Sequence, residues 1–250
     1  MLTRQGEPLM YLYNGLKDKF EISDVIIEKS TNRKDFLKRR IKRLGYIKVF
    51  GQALFQVVIC RIIRKKSTER IAQIKSIYNL DNSSIPESIV KRVSSVNSDG
   101  CIDYLKAMKP DLIIVNGTRI ISKKVLNTIN ATFVNTHGGI TPKYRGIYGG
   151  YWAIANRDKE NFGVTVHLID SGIDTGGVLY QKSIETTPKD NVTTYTYLQK
   201  GVGIQLMEKT IIDFIAGKLT EIEPQTTESH LWSTPTLWHY LYRRIRYGAK

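Results

Sequence analysis

The chain has 250 residues, 41% of them hydrophobic, with 38 Lys and Arg against 23 Asp and Glu for a net charge of +15. That hydrophobic fraction excludes global disorder, and the length suits one large α/β domain with a short appendage. Cys60 and Cys101 stand far apart without ligand spacing, so reduced thiols in a cytoplasmic setting are expected.

Met1–Lys19 lacks the apolar core and small-residue site of a signal peptide, and no run of about 18 uninterrupted apolar residues supports a spanning helix. The charge is local. Residues 33 to 70 hold thirteen Lys or Arg and two acids, which is +11 of the +15.

In chain order, Met1–Thr3 reads as the tail of a strand, and Pro8 suits the first turn of a helix to about Lys19. Asp24–Glu28 is a short buried strand. Leu37, Ile41, Leu44 and Ile47 then form one helical face, with Lys and Arg on the other. From Val49 to Ile63 the chain is apolar on nearly every side. A polar linker follows near Asn79–Ser84. Ser98 caps a helix carrying Ile102, Leu105 and Met108, which Pro110 ends.

Leu112–Val115 is a central parallel strand buried on both faces. Ser122 opens a short helix, and Thr132–Val134 is the next strand, feeding a loop from Asn135 to Tyr148. A helix spans about 150–156. Residues 162–169 alternate as a half-buried strand. The tight loop Asp170–Gly176 leads to a strand at Val178–Ile184, and a helix from about Val192 to Ala216 follows. This order predicts an open, mostly parallel, Rossmann-like α/β sheet with helices on both faces. Ligands then bind beyond the carboxyl ends of the strands, where the loops after Val115, Val134 and Ile169 are expected to gather Arg119, Asn135, His137 and Asp174.

An imidazole, an amide and a carboxylate can deprotonate an attacking amine, hold a developing oxyanion and return a proton to a leaving nitrogen. Asn135 and His137, two apart on a strand, share a face. The stretch Asn135-Thr-His-Gly-Gly-Ile-Thr-Pro-Lys-Tyr-Arg-Gly146 resembles the signature loop of the 10-formyltetrahydrofolate-dependent formyltransferases, and Gly163–Gly177 is similar to their second signature. The resemblance covers about Pro110–Ile184. It departs at Gly139-Ile140-Thr141, where many members carry Ser-Leu-Leu before the proline, and in the basic insertion 33–70.

The resemblance implies catalytic roles for Asn135, His137 and Asp174. Arg119, Ile120, Ile121, Ile169, Asp170 and Gly172 would bind the folate. Pro142, Tyr144, Arg145 and Gly146 would shape the acceptor entrance. The donor would be 10-formyltetrahydrofolate, without a metal. The family's first strand would precede Met1. Residues 1–217 would form the catalytic domain, with 33–70 as a basic amphipathic helical insertion and 218–250 as an aromatic, basic tail.

Blander readings stand beside these. His167 is read as structural, His230 and His239 as surface residues, Arg119 as a ligand slightly ahead of a solvated loop cation, and Arg145 equally as a loop staple. The chain has no Walker motif, no dinucleotide glycine fingerprint and no metal-ligand spacing.

The acceptor expected is an amino sugar on a nucleotide or lipid, as in surface polysaccharide synthesis. The expectation rests partly on the roughly thirty residues after Ala216, too few for the C-terminal domain of methionyl-tRNA formyltransferases, and on the missing Gly-rich loop of glycinamide ribonucleotide formyltransferase. Methionyl-tRNA formylation and 10-formyltetrahydrofolate hydrolysis are the enzymatic alternatives. A non-catalytic membrane- or RNA-binding protein is the alternative of another class. For the basic segment an anionic membrane surface, reached from the cytoplasm, ranks above nucleic acid.

Overall fold

A computed structural model describes residues 1–224 and 226–250, so Gln225 in the expected tail lies outside the described residues. The core is a seven-stranded sheet of order β3-β2-β1-β4-β5-β7-β8. Its strands are β1 (Leu2–Arg4), β2 (Val25–Glu28), β3 (Val90–Val93), β4 (Leu112–Asn116), β5 (Thr132–His137), β7 (Gly163–Leu168) and β8 (Val178–Ser183). β3, β2, β1, β4 and β5 are parallel, and β7 runs antiparallel to both its neighbours. A two-stranded sheet pairs β6 (Arg145–Gly146) with β9 (Leu231–Trp232).

β1 falls where Met1–Thr3 reads as the tail of a strand. It is only three residues long yet central, with Leu2 paired to both Ile26 and Val115. The edge strand β3 had no periodic signal, because its central Lys91 and Arg92 are exposed.

β4 is buried on both faces, as its unbroken apolar run requires. Ile113 and Val115 join Ile102 and Leu105 of α6 (Asp99–Met108) and Val125 of α7 (Lys123–Thr128). Ile114 faces the other way, with Leu12 and Leu16 of α1 (Glu7–Leu16) and Met207 and Ile211 of α9 (Tyr195–Ile215).

The basic segment is helical. α2 (Arg33–Leu44) precedes α3 (Tyr46–Leu54), which continues through a π-helical stretch, Phe55–Cys60, into α4 (Arg61–Lys66); α5 (Thr68–Ile77) follows. Tyr46–Lys66 is thus one helix of 21 residues, long and apolar enough by length and composition to cross a membrane. The uninterrupted-run criterion missed it because Gln52, Gln56 and Arg61 break the apolar string. Its inner side is nevertheless docked: Phe55 is fully buried among Tyr148, Tyr151 and Tyr240, and Gln52 Nε2 donates to Thr234 O at 2.7 Å. α8 (Gly149–Ala155) and α10 (Leu237–Tyr247) complete the helices.

Candidate active site

β5 presents Asn135 and His137 on one face, and the antiparallel register places His167 of β7 directly opposite Asn135. Asn135 Nδ2 lies 3.2 Å from His167 Nε2, and His167 Nδ1 lies 2.6 Å from Leu168 O. His167 Nε2 also lies 3.6 Å from Asp174 Oδ1, so this edge of the ring faces both the amide and the carboxylate. Nδ1 donates to the Leu168 carbonyl, and the contact at Nε2 fixes the rotamer of Asn135. His167, read as structural, stands within the cluster. The signal was the cross-strand pairing, invisible until the direction of β7 is known.

His137 Nε2 donates to Tyr144 O at 2.6 Å, which turns Nδ1 toward Asp174 Oδ2 at 3.3 Å. Asp174 Oδ2 also accepts the Gly146 N–H at 2.8 Å. Burial pushes the His137 imidazole below its ordinary value, while Asp174 pulls the other way. Burial opposes ionisation of Asp174 too, but His167, His137 and the Gly146 N–H outweigh it and hold the carboxyl at about 2. A neutral imidazole whose Nδ1 lone pair faces a fixed carboxylate is a proton acceptor whose charged form already has a partner.

The route of Asp174 to this point differs from expectation. Because β7 is antiparallel, the loop after it leaves from the far edge of the sheet, where Ile169 N bonds Phe133 O at 2.9 Å. The loop folds back along β5 instead of gathering with the loops after β4 and β5. Arg145 Nη1 staples it by donating to Ile173 O at 3.0 Å. Asp174 takes a left-handed backbone, φ 52°, which short polar side chains tolerate. Gly146 has φ 93°, and a Cβ there would meet Trp232 O at 2.3 Å, so β9 requires glycine beneath the aspartate.

The other candidates divide. Arg119 is occupied elsewhere: Nε lies 2.7 Å from buried Glu28, and Nη2 donates to Lys29 O. Its guanidinium stands apart from the His137 cluster. Ile120 is exposed and Ile121 sits in the core. Ile169 packs on that same core, while Asp170 caps its own loop by accepting from Gly172 N and Thr175 Oγ1. Pro142 follows buried Thr141 in the chain, and the carbonyl of Pro142 accepts from His230 N at 3.3 Å. The Tyr144 ring is buried, stacked on Trp232 with its hydroxyl donating to Asp158, so its carbonyl, not its ring, serves the site.

Beside His137 opens a cleft of about 570 Å³, reaching Asn116, Gly146, Tyr148, Gln199 and Lys200. His137 therefore stands between this cleft and the Asp174 loop. Lys200, on the cleft-facing side of α9, forms no ion pair among the described residues, and burial lowers its ammonium from the ordinary value. The sequence reading passed over it as one cation within a long helix. Among the described residues no group of His, Cys, Asp or Glu could hold a metal.

Comparison with known proteins fits this geometry. A family model described as formyl transferase matches residues 46–211. The methionyl-tRNA formyltransferase of Thermodesulfovibrio yellowstonii is 36% identical over 134 residues, which is 53% of this chain and 43% of that protein. That of Methylacidiphilum infernorum is 37% identical over 129 residues, 51% of this chain and 40% of the relative. The match thus spans less than half the length of these relatives. A 4-N formyltransferase from Francisella tularensis superposes with a TM-score of 0.57 at 18% identity, covering 96% of this chain and 76% of that one. Glycinamide ribonucleotide transformylase 1 from Symbiobacterium toebii gives 0.57 at 16%, covering 89% of each chain. These structures share the fold, and the family match extends over more than half of the sequence: the chain belongs to the formyl transferase family.

Proposed function

We propose that the protein transfers a formyl group from 10-formyltetrahydrofolate to the amine of an amino sugar carried on a nucleotide or a lipid. The carrying observation is the His137 Nδ1–Asp174 Oδ2 approach of 3.3 Å, beside an Asn135 amide oriented by His167. The donor set suits a formyl group: an amide N–H, an imidazole and a carboxylate. When bound, 10-formyltetrahydrofolate supplies the electrophilic carbon. It would be held against the Asp170–Gly172 loop, with the acceptor in the cleft.

The His137–Asp174 pair takes up the proton of the attacking amine, with Asp174 balancing the imidazolium charge. Asn135 Nδ2 donates to the oxyanion developing at the formyl oxygen. The same proton returns to the departing nitrogen. Lys200 supplies a positive charge for an anionic group of the acceptor, consistent with a phosphorylated carrier. The enzyme would work in the cytoplasm, and its basic arm would hold it at the membrane's inner face. The relatives named methionyl-tRNA formyltransferase favour a second reading, in which the acceptor is aminoacylated tRNA.

The test is tetrahydrofolate appearance from 10-formyltetrahydrofolate with amino-sugar nucleotides, charged initiator tRNA or no acceptor. Release that depends on an amino sugar is expected. Release with tRNA alone supports the second reading, and equal release without acceptor identifies a hydrolase.

A further inference from the structure

The outer face of the Tyr46–Lys66 helix is apolar and, among the described residues, unpartnered. Ile47 is 78% exposed, and Phe50 and Val57 are each 63% exposed. α10 packs on this helix at Gly51, where an added Cβ would lie 2.1 Å from the Trp238 ring, and it extends the surface with Trp238, Leu241 and Ile245, the last 85% exposed. A contiguous apolar area of this kind marks a binding surface. Its surroundings are cationic. Lys38, Arg39, Lys42 and Arg43 of α2 lie exposed at one end, and Arg61 and Lys65 of α4 at the other.

The geometry points to this face as a docking surface for an anionic bilayer, with the helix lying in the interface and not across it. Charge and apolarity together decide the partner: +11 in residues 33 to 70 complements acidic headgroups, while Ile47, Phe50 and Ile245 enter the acyl boundary. Spanning is disfavoured, since it would uncover buried Phe55 and break the Gln52–Thr234 bond.

Docking also orients the site. A groove of about 490 Å³ runs beside the π-helical stretch, lined by Val57, Arg61 and Arg64 and by Gln56, Tyr148 and Thr196. Those last three residues also line the His137 cleft. One end of the groove therefore reaches the exposed face at Val57, and the other adjoins the cleft that His137 lines. Arg61 and Arg64 stand where the phosphate of a membrane-anchored acceptor would pass. This consequence rests on the proposed formyl transfer, whereas the docking does not.

The test is flotation of the whole protein with phosphatidylcholine vesicles, with and without about one third phosphatidylglycerol, at about 0.1 M and about 1 M salt. The comparison variant is Ile47→Glu with Phe50→Glu; neither residue touches the cleft or the groove. The expected result is binding to the anionic vesicles alone, weakened by salt, and reduced about tenfold or more in the variant. Formylation of a soluble amino-sugar nucleotide should be equal in both proteins. Equal flotation of the variant overturns the proposal, as does absence of flotation. Concentration-dependent dimerisation lost in the variant, without vesicle binding, also overturns it and assigns the face to a second copy. Intact flotation without formyl transfer to any acceptor refutes only the proposed reaction.

Discussion

Replacing Asp174 by Asn tests whether the buried pair handles protons. The carboxyl is held at about 2 against an ordinary 3.8. That difference corresponds to about 2 kcal/mol favouring the carboxylate in the folded state. Because the folded value is depressed, the stabilisation is present above the unfolded value of 3.8 and is lost as pH falls toward 2. Asn keeps the shape and can still accept the Gly146 N–H, but it offers His137 no charge. The variant should melt about 4–8 °C lower at pH 7, and the gap should close as the pH approaches 2. Turnover should fall about 10²–10³-fold, since the protonated imidazole loses its counter-ion. Circular dichroism melts across the acid range, alongside tetrahydrofolate release, measure both effects. A variant as stable as the parent at pH 7 that retains more than about a tenth of its turnover would refute the coupling of the pair to proton transfer.

Asn135→Ala removes the amide donor and should cost about 10²–10³ in kcat with an unchanged melting curve. His167→Leu leaves Asn135 oriented by nothing; steady-state kinetics should show kcat lowered about tenfold with the acceptor KM unchanged, a split that a merely structural role would not give. Lys200→Met should do the reverse, raising the acceptor KM about tenfold while sparing kcat. Glu28→Gln strips the charge from a fully buried side chain that faces Arg4 and Arg119 and accepts the backbone N–H groups of Arg119 and Val96. Denaturant unfolding should show a loss of about 3–5 kcal/mol.

The parts of the fold legible in the sequence are those whose residues see two buried faces or a clear helical stripe. Leu112–Val115 declares itself because nothing polar interrupts it. Ser122 declares α7 because its hydroxyl accepts from Val125 N, as an N-cap should. β3 does not, since an edge strand with Lys91 and Arg92 outward has neither an apolar run nor much burial. The central place of β1 is equally hidden. Three residues carry no period, and their position depends on partners 24 and 113 residues away.

The site divides along the same line. Asn135 and His137 are neighbours on one strand, so their common face follows from local geometry alone. Asp174 reaches His137 only because β7 reverses direction and Arg145 ties the returning loop, and neither fact is periodic in sequence. His167 enters through the same reversal: its partner in space is Asn135, 32 residues earlier. Arg119 shows the opposite pattern. A cation beyond a strand end reads as a ligand, but buried Glu28, on a strand two places away in the sheet, claims it first. An uncompensated carboxylate at that depth costs several kcal/mol, more than a loop arginine would gain from an exposed ligand, so the structural claim wins.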